Sequence, residues 1–73
     1  MSLLKICKNQ PNKELILQHR NSFNINEKDH YGNTPLHLIC KYHPRQDLIN
    51  LLLKIGANVN ILNYMHETPL HII

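Results

Sequence analysis

The sequence predicts an all-α solenoid of stacked helix-turn-helix units, and three observations carry that prediction. The tetrapeptide Thr-Pro-Leu-His stands at residues 34–37 and returns at residues 68–71. The chain also matches itself when shifted. A shift of 33 pairs residues 3–16 with 36–49 and gives seven identities in fourteen pairs: Leu3/Leu36, Ile6/Ile39, Cys7/Cys40, Lys8/Lys41, Pro11/Pro44, Leu15/Leu48 and Ile16/Ile49. Average residue usage would give roughly one. A shift of 34 pairs residues 24–39 with 58–73 and gives seven more, including Asn24/Asn58 and Asn26/Asn60. Finally, Leu48, Ile49, Leu51, Leu52 and Leu53 ring most of one short helical stretch. A helix apolar on most sides needs cover on both flanks, which neighbouring units of a solenoid supply.

The elements follow in order. The first module predicts a helix over about Leu3 to Lys8, a break near Pro11 and a second helix over about Lys13 to His19. Gln18, His19 and Arg20 make that second helix more polar, as suits an amino-terminal cap with one face in water. The two shifts make this module one residue shorter than the next, at some point between Leu17 and Phe23. Thr34 is a good N-cap, and Pro35 supplies a helical φ where its missing N–H has no partner to lose. A helix is therefore expected from Pro35, with Leu36, Ile39 and Cys40 on one face and Lys41 and Tyr42 near its exposed end. His43-Pro44 disfavours its continuation, and Pro44 is placed to open the next helix. Asp47 to Lys54 forms that helix. Glu14 and Asp47 occupy matching first-turn positions, where negative charge favours the helix dipole. Gly56 is expected to close it in the left-handed C′ conformation. Thr68-Pro69 then starts a further helix. His66 stands where Gly32 stands one module earlier, so a side chain is expected at a turn position that needs φ > 0.

Asp29-His-Tyr-Gly-Asn-Thr-Pro-Leu-His37, Leu48-Ile-Asn-Leu-Leu-Leu53 and Gly56-Ala-Asn-Val-Asn60 together resemble an ankyrin repeat, and the resemblance covers nearly the whole chain. It implies an ankyrin-type array with short β-hairpin loops. Residues 1–28 form an amino-terminal capping repeat without its leading hairpin, 29–62 a complete repeat and 63–73 a repeat cut inside its first helix. The chain departs from the pattern at Asn63, where Asp is usual, at His66, and in a Pro44 loop one residue longer than the usual turn. The histidine of Thr-Pro-Leu-His is similar to a structural residue that ties a helix start to the hairpin. That reading competes with a metal site built from His37 and Cys40, and prevails because zinc wants four convergent ligands.

Composition narrows the function classes. Eight Lys or Arg against five Asp or Glu leave a net charge of +3, with no block of like charge. A nucleic-acid binder would need a continuous basic stripe, of which Lys8, Lys41 and Lys28 are only the beginning. No run reaches the ~20 apolar residues of a membrane span, and Lys5 and Lys8 interrupt the place where a signal peptide's apolar stretch would stand. An address in the cytoplasm, or the nucleus, is expected. Cys7 and Cys40 are equivalent positions of modules that stack roughly 8–10 Å apart, beyond the ~7 Å that a disulfide tolerates, so both are expected as buried thiols. No phosphate-binding loop or nucleophile elbow is present, and no catalytic residue, metal, cofactor or small-molecule substrate is expected.

What remains is a surface. The ankyrin resemblance implies binding of another protein through hairpin tips and the exposed edge of the first helices. Those positions are Glu27, Lys28, His30, Tyr31 and Asn33 on the first hairpin, Leu62, Tyr64, Met65, His66 and Glu67 on the second, and Lys8, Asn9, Lys41 and Tyr42 on the helices. All but Glu27 and Leu62 make up the candidate partner-binding set. The bias towards Asn, Ile and Lys resembles that of ankyrin proteins from large DNA viruses, poxviruses among them, or from intracellular microbes. This implies engagement of host proteins, in the host cytoplasm if the chain is viral. The alternative is a truncated, non-autonomous or non-functional fragment of a longer ankyrin protein, since about three repeats make a self-sufficient stack. The apolar flank of Leu48–Leu53 is expected to be covered only by residues 69–73.

Overall fold

A computed structural model describes residues 3–19 and 24–72. It contains five helices: α1 (Leu3–Asn9), α2 (Lys13–His19), α3 (Pro35–Tyr42), α4 (Gln46–Lys54) and α5 (Pro69–Ile72). Arg20, Ile73 and part of the segment expected to hold the length difference lie outside the described residues.

The helices form two layers. α3 packs between α1 and α5 in an inner layer, while α2 backs α1 and α4 backs α3. The core is one cluster of Leu3, Ile6, Cys7, Ile16, Leu36, Leu38, Ile39, Cys40, Leu48, Ile49 and Leu52. Each fully buried Leu or Ile contributes about 1.5–3 kcal/mol, and the repeat-equivalent pairs Leu3/Leu36 and Ile6/Ile39 all face this cluster. Cys7 and Cys40 are buried free thiols.

Local chemistry sets each helix end. Asn12 starts α2: its Oδ1 accepts from the Leu15 N–H at 2.9 Å and its carbonyl from the Ile16 N–H at 3.1 Å. Thr34 caps α3 in an extended conformation, with Pro35 inside the first turn. At α4 the expectation needs correcting, because Pro44 lies ahead of the cap and Arg45 takes the N-cap position without a side-chain bond. Arg45 reaches Asp47 at 2.8 Å instead, and Lys13 approaches the same carboxylate at 4.0 Å. Gly56 closes α4 as expected, with φ 109°. Its N–H bonds the Leu53 carbonyl at 3.2 Å and the Ala57 N–H bonds that of Leu52 at 2.9 Å, the paired bonds of a Schellman ending.

Two further differences concern the burial of α4 and the loops between modules. All-round burial belongs to α3, where residues 35–40 are all buried, and not to α4, where Leu53 is 40% exposed and Leu51 half-buried. The reason is placement: α5 packs against α3 in the inner layer, and α3 is the helix packed against α4. The loops between modules also hold no strand among the described residues. In each tip a side chain takes the N–H groups that a strand ladder would use. Asp29 Oδ1 accepts from the N–H of Tyr31 and of Asn33, both at 2.9 Å. Asn63 Oδ1 accepts from Met65 at 2.9 Å and Glu67 at 3.0 Å.

Candidate functional site

Each tip is a tight turn closed on its first residue. The Asp29 N–H donates to the Asn33 carbonyl at 3.0 Å and the Gly32 N–H to the Asp29 carbonyl at 3.1 Å. Asn63, Glu67 and His66 repeat that pair of bonds, each at 3.0 Å. Gly32 takes φ 78° and His66 φ 60°, so the side chain at position 66 does sit in the left-handed region. The tips are stacked by a bond from the Tyr64 N–H to the Tyr31 carbonyl at 3.0 Å. Gly32 is required for that approach, because a Cβ there would lie 2.7 Å from Tyr64 Cδ1 and 2.8 Å from Tyr64 N.

His37 anchors the tips to the helices. It is completely buried, with Nε2 2.8 Å from the Glu67 carbonyl oxygen. A carbonyl only accepts, so Nε2 carries the proton. Nδ1 is then the acceptor, taking the Thr34 N–H at 3.1 Å and lying 2.8 Å from Thr34 Oγ1. With both ring nitrogens committed, His37 has no lone pair to offer a metal. His71 repeats the local half of this arrangement, accepting from the Thr68 N–H at 3.2 Å. His43 Nε2 donates to the Lys8 carbonyl at 3.1 Å and so joins the ends of α3 and α1. Among the described residues no three His, Cys, Asp or Glu side chains converge.

Between the tips and the inner helices runs a groove of about 560 Å³. Of the expected residues it gathers Lys8, Tyr31, Asn33, Lys41, Tyr42, Met65 and Glu67, and it adds Asp29, Leu38, Asn63, His71 and Ile72. Leu38/Ile72 and Asp29/Asn63 are repeat equivalents, so the period was the available signal for them; Leu38 is also buried and would pass for core alone. Tyr31, Tyr64 and Met65 are 70%, 66% and 77% exposed. Lys28, Tyr64 and His66 lie outside the groove lining. Lys28 Nζ donates to the Leu62 carbonyl at 3.1 Å and stands 5.9 Å from the centre of the Tyr64 ring. His30 borders a neighbouring hollow with Lys5, Lys8 and Tyr31. Asn9 lines a third depression, shared with Lys8, Pro11, Tyr42 and His43.

Two expected tip positions do not form open surface. Asn33 is buried, and its Oδ1 accepts from Asn63 Nδ2 at 3.0 Å. Glu27 is half-buried, with Oε1 enclosed and without a hydrogen bond. The usual Asp is replaced at position 63 in a compensated way. Asn63 Nδ2 donates both to Asn33 and to Glu67 Oε1, the latter at 2.9 Å. An Asp in that place would set a carboxylate against the carboxylate of Glu67.

The family profile described as ankyrin repeats in three copies matches residues 3–73. The chain belongs to the ankyrin-repeat family. Ankyrin repeats generally mediate protein–protein interaction and are typically non-enzymatic. Among curated proteins, this ankyrin chain is similar to an ankyrin repeat protein of fowlpox virus (strain NVSL), 48% identical over 52 residues, covering 70% of this chain and 10% of that protein. A second fowlpox ankyrin repeat protein is 46% identical over 57 residues, covering 78% and 11%. Human transient receptor potential cation channel subfamily A member 1 is 45% identical over 49 residues, covering 66% and 4%. The chain therefore spans about a tenth of the length of the fowlpox relatives. Their family and source agree with the poxvirus-type resemblance expected from the sequence. No described helix is long and apolar enough to cross a membrane.

Proposed function

We propose that the groove between the turn tips and the inner helices is the face with which this ankyrin array holds another protein, and that the partner is a host protein met in the cytoplasm of an infected cell. The observation that carries the reading is the exposure of Tyr31 and Met65 in the wall of a groove that Lys8 of α1 and Leu38, Lys41 and Tyr42 of α3 also line. Tyrosine and methionine are enriched in protein interfaces, where large side chains bury much area at modest entropic cost. The groove is also rigid where it matters. His37 fixes the second tip to α3, and Asn63 fixes the second tip to the first, so little conformational freedom is lost on binding. The fowlpox relatives support the viral setting.

The experiment compares two sets of substitutions in capture from host-cell extract. Tyr31→Ala and Met65→Ala together should abolish retention of a specific protein, while Gln46→Ala and Asn50→Ala on exposed α4 should leave it intact. Equal retention by both variants would contradict the reading.

A further inference from the structure

Four bonds join the second module to the tip and helix that follow it. The Asn58 N–H donates to Asn26 Oδ1 at 2.8 Å, and the Tyr64 N–H to the Tyr31 carbonyl at 3.0 Å. Asn63 Nδ2 donates to Asn33 Oδ1 at 3.0 Å, and His37 Nε2 to the Glu67 carbonyl at 2.8 Å. Beside them α5 lies on α3. A shift of 34 carries the residues on the near side of this joint, Asn26, Tyr31, Asn33 and His37, onto Asn60, Met65, Glu67 and His71. The second tip and α5 therefore present the same kind of edge again.

That second edge is uncovered. Among the described residues Asn60 Oδ1, the Met65 carbonyl and His71 Nε2 have no hydrogen-bond partner. His71 Nδ1 accepts from the Thr68 N–H, so the neutral ring carries its proton on Nε2, ready to donate as His37 does. Apolar surface tells the same story. Leu3 and Leu36 are 0% and 2% exposed, each on a helix with a further inner helix and a second helix against it, whereas their equivalent Leu70 on α5 is 66% exposed.

From this repetition we infer that the outer edge of the second tip and α5 is a second docking surface, taking the tip and first helix of another ankyrin-type repeat, borne by a partner protein and opening on a hydrogen-bond donor rather than on Asp. The existing joint shows the length required. Residues 58–72, a tip and the four-residue α5, carry every incoming group named above. Glu67 sets the preference, because it puts a carboxylate where the first tip offers the Asn33 amide oxygen. An incoming Asn would donate to that carboxylate, while an incoming Asp would set like charge against it. A second copy of this chain is a poor occupant. Its Asn63 tip is already seated on its own first tip, and its first tip opens on Asp29.

The test is amide chemical-shift mapping of the isotope-labelled full chain with three synthetic peptides: residues 58–73, residues 24–39, and residues 24–39 carrying Asp29→Asn. Saturable changes are expected at Asn60, Met65, Leu70 and His71 with the first and third. The third should bind about fivefold or more tighter than the second. Leu70→Asp in the full chain should abolish the changes and His71→Ala should weaken them, with circular dichroism to verify the folds; should Leu70→Asp unfold the chain, Leu70→Ser serves instead. No saturable change with any peptide would overturn the inference, as would changes centred on His37 and α3, which would mean that the peptide displaces α5. Equal binding of the Asp and Asn forms would overturn the selection by Glu67. The same changes on concentrating the chain alone would make a second copy the occupant and overturn the partner.

Discussion

His37 Nε2 lies 2.8 Å from the Glu67 carbonyl, so the first turn of one repeat is bonded to the tip of the next. The imidazole is buried and also closes its own helix through Thr34. His37→Ala would leave the Thr34 N–H and the Glu67 carbonyl without these bonds, at about 1–3 kcal/mol for each buried group. Urea unfolding should show a loss of about 2–6 kcal/mol. A loss within measurement error would mean that water replaces the imidazole.

The amide at position 63 should be needed as an amide. Asn63→Asp sets a carboxylate beside Glu67 Oε1 and the Asn33 side-chain oxygen, and should destabilise the chain by about 1–3 kcal/mol. Glu67→Gln in the same chain should recover part of the loss, because a side-chain amide can donate to the introduced carboxylate. A double-mutant cycle with additive effects would disprove the coupling.

The two turn positions should answer in opposite directions. Gly32→Ala brings a Cβ within 2.8 Å of Tyr64 backbone N at a φ of 78°, and should cost about 2–3 kcal/mol. His66→Gly relieves a side chain held at φ 60°, and should gain about 0.5–1 kcal/mol. Thermal unfolding of the two variants measures both; losses of the same sign would show that the left-handed turn is misassigned.

Burial pushes the Cys7 thiol up to about 12 from an ordinary value of 9.0, and raises that of Cys40 as well. The unfolded chain therefore loses these protons first. The stability associated with the neutral thiols is present below about pH 9 and is lost as the pH rises towards 12. The alkaline fall in stability should be shallower in Cys7→Ala than in the parent, measured by urea titration across that range. Equal slopes would show that Cys7 ionises in the folded chain as it does in the unfolded one.

These outcomes also show which features a single chain makes readable. Thr34-Pro35 and Thr68-Pro69 mark helix starts, Gly56 marks an ending and His66 marks a strained turn, because each signal is local and acts on the backbone beside it. What the sequence does not show depends on a partner one repeat away. Asn33 has the composition of an exposed tip, but Asn63 buries it from 30 positions downstream. Lys28 is exposed, as its place in the first tip implies, but its bond to the Leu62 carbonyl 34 positions away has no local signal. Leu53 reads as core because the apolar ring of α4 does not say which flank is covered. The period located the groove, since Lys8/Lys41 and Tyr31/Met65 repeat through it, but could not show which of its charges were already engaged.

The most direct measurement is amide chemical-shift mapping of the isotope-labelled chain on titration with a peptide selected against it. The largest changes should fall on Lys8, Tyr31, Lys41, Tyr42 and Met65, with α2 and α4 unmoved. Changes confined to the outer faces of α2 and α4, with the tips and inner helices silent, would contradict the assignment of the groove as the face that binds.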